Sequence, residues 1–477
     1  MISALWHVPA SPLFGPLVAA VHVILAISVT MNVLLKKSDV RGALGWIGLV
    51  WLAPLLGSAV YFLFGINRVS RRAARLRGPL MQAHRTKANK SAVPQNIRIL
   101  SDVGDRVTGE PLTGGNRLDA LQDGDQAYGA MLAAIADATQ SIAMASYIFH
   151  NDAVGKKFAD ALIAARQRGV DVRVLLDSVG AGYLFTPILY RMRRGGVRAE
   201  RFLHIWLPWR MPFLNMRNHR KILVIDGATA FVGGMNISQE ACPSIAGDKT
   251  IKDMHFRVTG PVVQVVMDVF AQDWTFTTGE SLDQDCWWPP LAPCGAVFAR
   301  GLRSGPDADL YKLELILGAA LNLARKRIRI VTPYFLPDAR LQFLLHQAVL
   351  RGVTVEIVLP EKSDQPIMDW AIRGHLRFLR YIKARIIVSP QPFDHSKLCT
   401  VDGEWSLIGS SNWDARSFRL NFEFDLECAD RALTAQIDAV IDTKIAAGRI
   451  IAPDAMMTDP LVFRLRDAAA RLLMPYL

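Results

Sequence analysis

Two long apolar stretches open the chain. The first runs from about Val18 to Leu35, and the second, from about Gly42 to Gly65, carries no charge. A hydrocarbon core of ~30 Å is crossed by ~20 apolar residues in a helix. The pair therefore predicts a transmembrane helical hairpin over residues 1–67, linked by Lys36 to Arg41, with a re-entrant hairpin as the alternative. No Lys or Arg precedes Lys36, which argues against a signal peptide. Beyond residue 100 the pattern changes to short apolar runs and is written twice. Ser141 to Phe149 and Ile328 to Phe335 are strand-like runs ending in aromatics, with Tyr147 and Tyr334 near their ends. Each leads through a helix-like segment to another strand-like run, Arg168 to Asp177 or Arg351 to Leu359. Strand, helix and strand predict α/β units around mostly parallel sheets.

Composition sharpens this picture. Over 477 residues, 51% are hydrophobic and the mean hydropathy is +0.20, so a membrane segment is expected and more than one further unit must follow. The predicted division is a hairpin at 1–67, a basic juxtamembrane linker at 68–115, a first half at 116–300 and a second at 301–477. The linker holds Arg68, Arg71, Arg72, Arg75, Arg77, Arg85, Lys87 and Lys90. By the positive-inside rule these place the rest of the chain in the cytoplasm, on a multi-pass anchor in the inner (cytoplasmic) membrane. The net charge of +12 calls for an anionic partner, and lipid and nucleic acid both qualify. A hairpin beside the site favours lipid, so no nucleic acid is expected. Five scattered cysteines without CxxC spacing support neither a disulfide framework nor a zinc site.

The chemistry lies in the later part of each repeat. His219-Arg-Lys221-Ile-Leu-Val-Ile-Asp226-Gly227 is followed by Gly233-Gly234-Met-Asn236. His395-Ser-Lys397-Leu-Cys-Thr-Val-Asp402-Gly403 is followed by Gly409-Ser410-Ser-Asn412. The His-to-Asn offset is the same in both copies. Asp-Gly between apolar runs is a hairpin signal. Alternation along a strand puts His219 with Lys221, and His395 with Lys397, on one face. It turns Asp226 and Asp402 to the other, where they hold the turn, although they complete the motif with the other four.

These motifs resemble the paired HKD motifs of the phospholipase D superfamily. Asn215 to Lys221, Gly409 to Glu423, Ser304 to Asp307 and the hairpin are similar to bacterial cardiolipin synthases. The resemblance implies two phospholipase D-like repeats about a pseudo-two-fold axis, with both motifs in one pocket. It implies transfer of a phosphatidyl group between two phosphatidylglycerol molecules through a phosphatidyl-histidine, without a metal or other cofactor. It also implies a carboxylate orienting each histidine, at Asp253 and Glu423. One neutral imidazole attacks phosphorus while the other, protonated, serves the leaving oxygen. By resemblance His219 is the nucleophile, though the sequence leaves the order open. Lys221, Lys397, Asn236, Asn412 and Ser410 are candidates for binding the phosphodiester. A phospholipase D hydrolase or a nuclease would use the same residues, and a non-catalytic scaffold would need none of them. Ile205 to Phe213, aromatic and basic, suits either the headgroup region or a core. The stretch Leu461 to Met474 places Leu461, Leu465, Ala468 and Leu472 on one helical face, expected to pack on the domain in preference to contacting the membrane.

Overall fold

The structure, a computed structural model, describes residues 14–37, 40–65, 93–204, 216–377, 379–451 and 458–474. The link at Ser38 and Asp39, the basic run from Arg68 to Lys90 and the segment Ile205 to Phe213 lie outside these residues. The described residues fall into two compact units, an N-terminal one (14–65) and a large one holding the rest.

In the N-terminal unit the first apolar stretch is one helix, Phe14–Lys36. Its Gly15–Lys36 portion, with a hydropathy of 2.2, is long and apolar enough to cross a bilayer. The second stretch departs from expectation. It forms a helix at Val40–Leu52, breaks at Pro54 and Leu55 and resumes as Leu56–Val60 and a π turn at Tyr61–Gly65. Proline cannot donate to the helix ladder and clashes with the preceding turn, and Leu55 takes a positive φ of 57°. Among the described residues one helix, not two, therefore meets the spanning test. The pieces pack together: Trp51 Nε1 donates to Thr30 Oγ1 at 3.1 Å and the Tyr61 hydroxyl to Asn32 Oδ1 at 2.9 Å. His22 accepts from Leu55 N, a packing role.

The large unit is built on one sheet. Its first seven strands are β1 (Thr113–Gln122), β2 (Ser141–Ser146), β3 (Asp171–Asp177), β4 (Arg198–Phe202), β5 (Ile222–Ile225), β6 (Thr229–Gly233) and β7 (Met254–Thr259). The next eight are β8 (Val297–Ser304), β9 (Arg327–Val331), β10 (Thr354–Pro360), β11 (Arg385–Ser389), β12 (Leu398–Val401), β13 (Trp405–Gly409), β14 (Glu423–Ala429) and β15 (Arg449–Ile451). From the central β1–β8 pair the sheet runs outward as β7-β6-β5-β2-β3-β4 on one side and β14-β13-β12-β9-β10-β11 on the other, with β15 added at that edge. The two halves are thus one pattern repeated about a pseudo-two-fold axis between β1 and β8.

The sheet is mixed rather than mostly parallel. Only β2-β3-β4 and β9-β10-β11 are parallel. Their helices, Ala153–Gln167 after β2 and Ala339–Leu350 after β9, supply the crossovers that parallel pairing needs. The Asp-Gly turns make β5–β6 and β12–β13 antiparallel hairpins, with Asp226, Gly227, Asp402 and Gly403 all at positive φ. Two apolar clusters, one per half, sit between the sheet and its helices.

Residues 98–108, assigned to the linker from sequence, form a helix whose Leu100 joins the second half's core. The C-terminal helix Leu461–Leu472 also departs from expectation. It buries Asp467 and Ala470 and leaves Leu461, Leu465 and Leu472 exposed. Asp467, fully buried, pairs with Arg377 at 3.0 Å. Turning Asp467 away from Arg377 would leave an uncompensated buried charge, at ~3–5 kcal/mol, so the pair fixes which side of the helix faces the domain.

Candidate active site

Each histidine enters its site on a segment stitched to the opposite half. His219 N donates to Phe422 O at 2.9 Å, and Phe422 N to Arg217 O at 2.8 Å. In the other copy His395 N donates to Lys252 O at 2.7 Å, and Lys252 N to Phe393 O at 2.8 Å. Phe422 and Lys252 directly precede Glu423 and Asp253. The stitching therefore delivers each carboxylate to the other half's imidazole. His219 Nδ1 lies 2.8 Å from Glu423 Oε2, and His395 Nδ1 lies 2.8 Å from Asp253 Oδ2. The dyads are crossed, a feature the sequence gives no sign of. With Nδ1 bound to a carboxylate, Nε2 of each ring is left to react.

Lys221 Nζ donates to His219 O at 2.7 Å, and Lys397 Nζ likewise to His395 O. Both lysines are buried. Burial pulls Lys221 down to about 7, against the raising effect of Glu423, and Lys397 to about 8, against that of Asp253. His219 is held well below the ordinary histidine range by burial and then by Lys221, Lys397 and His395. His395 is lowered by burial and Lys397, against the raising effect of Asp253. Four basic groups from both halves therefore share one low-dielectric site, an arrangement suited to a phosphodiester.

The two dyads are not equivalent. Glu423 Oε2 also accepts from Ser410 Oγ at 2.6 Å, and Oε1 accepts from Asn421 Nδ2 at 3.0 Å. Burial still raises this carboxyl to about 7. In the first half Gly234 stands where Ser410 stands in the second. A Cβ there would meet Asp253 Oδ1 at 2.4 Å. Asp253 Oδ1 accepts only from its neighbour Met254 N among the bonds seen, leaving Oδ2 to His395.

Several sequence-derived roles change. Ser410 was a candidate for substrate binding, but it is buried and spends its hydroxyl on Glu423, so it positions a carboxylate. Asp226 and Asp402 belong to the motif but not to this site. Asp226 accepts from the backbone N–H groups of Thr139, Gln140 and Ser141. Asp402 does the same for Arg325, Lys326 and Arg327. Each carboxylate thus ties its turn to the start of β2 or β9. Asn236 accepts from Ile148 N at 3.2 Å through its side chain. Asn412 is buried, and its Oδ1 has no partner among the described residues. Asp152 caps the helix Ala153–Gln167 and His150 is exposed, so neither lines the site. Buried His255 is a β7 residue.

Sequence reasoning missed Tyr147 and Asp177. The Tyr147 ring meets His219 edge-on at 4.9 Å and lies 5.3 Å below Lys221 Nζ. Asp177 Oδ2 accepts from Asn218 N at 2.8 Å, fixing the approach to His219. The signal for the first was present, since both repeats end their strand in a tyrosine. Among the described residues no group of three His, Cys, Asp or Glu is arranged to hold a metal.

Comparison with known proteins agrees with this geometry. Residues 131–274 and 317–445 match the family described as "Cardiolipin synthase, PLD-like domain". The chain is 30% identical to cardiolipin synthase A of Pseudomonas putida (strain W619), covering 97% of this chain and 98% of that one. It is 29% identical to the major cardiolipin synthase of Bacillus subtilis (strain 168), covering 96% and 97%. The crystal structure of phosphatidylserine synthase from Haemophilus influenzae Rd KW20 superposes with a TM-score of 0.58 at 15% identity, over 76% of this chain and 95% of that one, a likeness of fold. Matched in both halves and along nearly its whole length, the chain belongs to the cardiolipin synthase family of phospholipase D-like proteins.

Proposed function

We infer that this protein is a phosphatidyltransferase that makes cardiolipin from two molecules of phosphatidylglycerol and releases glycerol. The observation that carries the reading is the pair of crossed histidine–carboxylate dyads beside two buried lysines, in a chain with an apolar helix of spanning length. A phosphodiester is anionic and leaves poorly, so the reaction needs a nucleophile, an acid and positive charge. The site offers all three without a cofactor.

His219 Nε2 attacks phosphorus of the first lipid, and the bond to its headgroup glycerol breaks. His395 gives its proton to the departing glycerol oxygen. The phosphatidyl group then rests on His219. A hydroxyl of the second lipid's headgroup loses its proton to His395, attacks the same phosphorus and frees His219. The order of roles follows from the inequality of the dyads. Ser410 and Asn421 draw charge from Glu423, so it favours an imidazolium at His219 less than Asp253 does at His395. His219 is therefore the neutral nucleophile and His395 the acid. Lys221, Lys397, Asn236 and Asn412 bind the non-bridging oxygens.

The enzyme is placed in the inner membrane, with its N-terminal residues as a multi-pass anchor and its catalytic unit in the cytoplasm. The basic run after residue 67 supports this orientation. Purified full-length protein incubated with phosphatidylglycerol vesicles should yield cardiolipin and glycerol in equal amounts, measured by mass spectrometry and a glycerol assay. Added glycerol should suppress cardiolipin, because one phosphodiester is exchanged for another. Phosphatidic acid as the main product would identify a hydrolase instead.

A further inference from the structure

The large unit leaves apolar side chains in solvent at two places. The first is the outer face of the C-terminal helix Leu461–Leu472. Leu461, Val462, Leu465 and Leu472 are all more than half exposed, while Asp467 and Ala470 hold the inner face to helix Pro366–Leu376. The second is the loop after β3, where Leu184 and Phe185 are 85% and 78% exposed, with Tyr190 beyond them. Helix Pro366–Leu376 follows β10, the counterpart of β3. Both patches thus arise past the C-terminal ends of corresponding strands. That edge also carries Asp177, bonded to Asn218, and, just beyond β10, Asp364, bonded to the site-side Tyr334.

Arginines flank both patches. Arg466 lies over Trp370 at 4.7 Å and over Phe463 at 5.1 Å, with Arg464 beside it. Arg194 lies over Tyr190 at 4.7 Å, on a helix whose Arg191 and Arg193 pair with Asp160 and Glu200, so Arg194 is the charge that this patch offers. Apolar faces edged by arginine are the composition of interfacial helices on anionic bilayers. Exposed apolar side chains clustered within a polar rim are a mark of membrane or protein docking.

We propose that the catalytic unit docks directly on a bilayer of anionic phospholipid through these two patches, the outer face of Leu461–Leu472 and the Leu184–Phe185 loop with Tyr190. Charge complementarity selects this occupant, as does a helix of spanning length in the same chain. Docking at the edge of the sheet that bears the histidines lets a lipid headgroup enter without its chains leaving the membrane. The proposal extends the reading as a lipid transferase, and its main test does not depend on activity.

The test uses the full chain in phosphatidylglycerol vesicles, with Cys286→Ser and Cys294→Ser removing the two cysteines that are not buried. Spin labels are placed singly at Val462→Cys and Phe185→Cys, with a control at Arg431→Cys, whose side chain is 78% exposed. Labels at 462 and 185 should favour oxygen over a water-soluble nickel chelate as relaxing agent, and the control the reverse. Nickel accessibility equal to the control at both positions overturns the proposal. So does dipolar broadening between copies without an oxygen preference, which would mean a second copy of the chain covers the patch. In addition, the triple variant Leu461→Gln/Val462→Gln/Leu465→Gln should lose about ten-fold or more of its activity on vesicles. On short-chain phosphatidylglycerol dispersed in detergent it should keep wild-type activity. Equal loss on both would count against docking. Absence of transferase activity in the parent protein would sink the functional reading while leaving the labelling result intact.

Discussion

Replacing Glu423 by Gln tests how the dyad works, because all of its seen side-chain partners donate. His219 Nδ1 and Ser410 Oγ point at Oε2, and Asn421 Nδ2 points at Oε1. A glutamine must turn its own NH2 toward one of these donors. Turned toward His219, it forces the ring into the other tautomer, so Nε2 carries a proton and cannot attack. A wrong tautomer of this kind costs about 10⁴-fold in rate. Turned toward Asn421, it can be accommodated if Asn421 rotates its amide, since Asn421 Oδ1 has no partner among the described residues. The tautomer is then kept and only the charge is lost. A charged hydrogen bond exceeds a neutral one by ~1–2 kcal/mol, which is about ten-fold in rate at 1.36 kcal/mol per decade. Glu423→Gln should therefore lower kcat by at least about ten-fold. Adding Asn421→Leu should block the rotation and push the loss toward ~10⁴-fold. Wild-type activity should also fall as pH drops through about 7, where burial has raised the Glu423 carboxyl, and the glutamine variant should lose that limb. The assay is initial transfer from labelled phosphatidylglycerol between pH 5.5 and 8.5. A single variant matching wild type, or a double variant no worse than the single, would refute the reasoning.

Gly234→Ala should press its methyl on the Asp253 carboxylate, 2.4 Å from the built Cβ, and misplace His395. Activity should drop about 10²-fold with little change in melting temperature. Asp226→Asn should act on the fold instead: weakening a carboxylate that holds three N–H groups should cost ~2 kcal/mol by thermal denaturation. Its kcat should stay near wild type. EDTA should leave activity unchanged, because the lysines already supply the positive charge; loss restored by one divalent ion would count against the mechanism. Acid should destabilise the fold through His255 and His375, which burial holds at about 4 against an unfolded value near 6.5. Between those values the unfolded chain binds protons that the folded one does not, so stability falls as pH drops from 6.5 toward 4. His255→Phe should flatten that slope in denaturation curves taken across the range.

The legible features were those written locally. The duplicated motif, the strand–helix–strand units and the Asp-Gly turns each occupy one short segment, and strand parity correctly separated Asp226 and Asp402 from the histidines. The mixed sheet was harder to see, because the neighbours of β1, β7, β8 and β14 are distant in sequence. The Ser410 bond to Glu423 is hidden in the sequence for a related reason. The motif places Ser410 near the site but says nothing of Glu423, which reaches its hydroxyl only once β13 and β14 pair. The second apolar stretch has the composition of a spanning helix, but Pro54 within it ends the helix that starts at Val40. In the C-terminal helix, apolar periodicity pointed one way and the Asp467–Arg377 pair decided the other.

The crossed dyads bear on why the two halves share one chain. A half on its own would present a histidine without its carboxylate and a carboxylate without its histidine. Glu423 is fully buried, so stripping it of His219 would leave a desolvated acid that must take up a proton. The backbone bonds from Phe422 to Arg217 and His219, and from Lys252 to Phe393 and His395, would be lost with it. The site therefore exists only in the assembled pair of repeats. Because each copy supports the other's histidine, the copies were free to diverge in what they offer. One has a serine at position 410 where the other has Gly234, and one offers glutamate where the other offers aspartate. Under the proposed mechanism that inequality separates a nucleophile from an acid, which a strictly symmetric dimer of one repeat could not do without breaking its own symmetry.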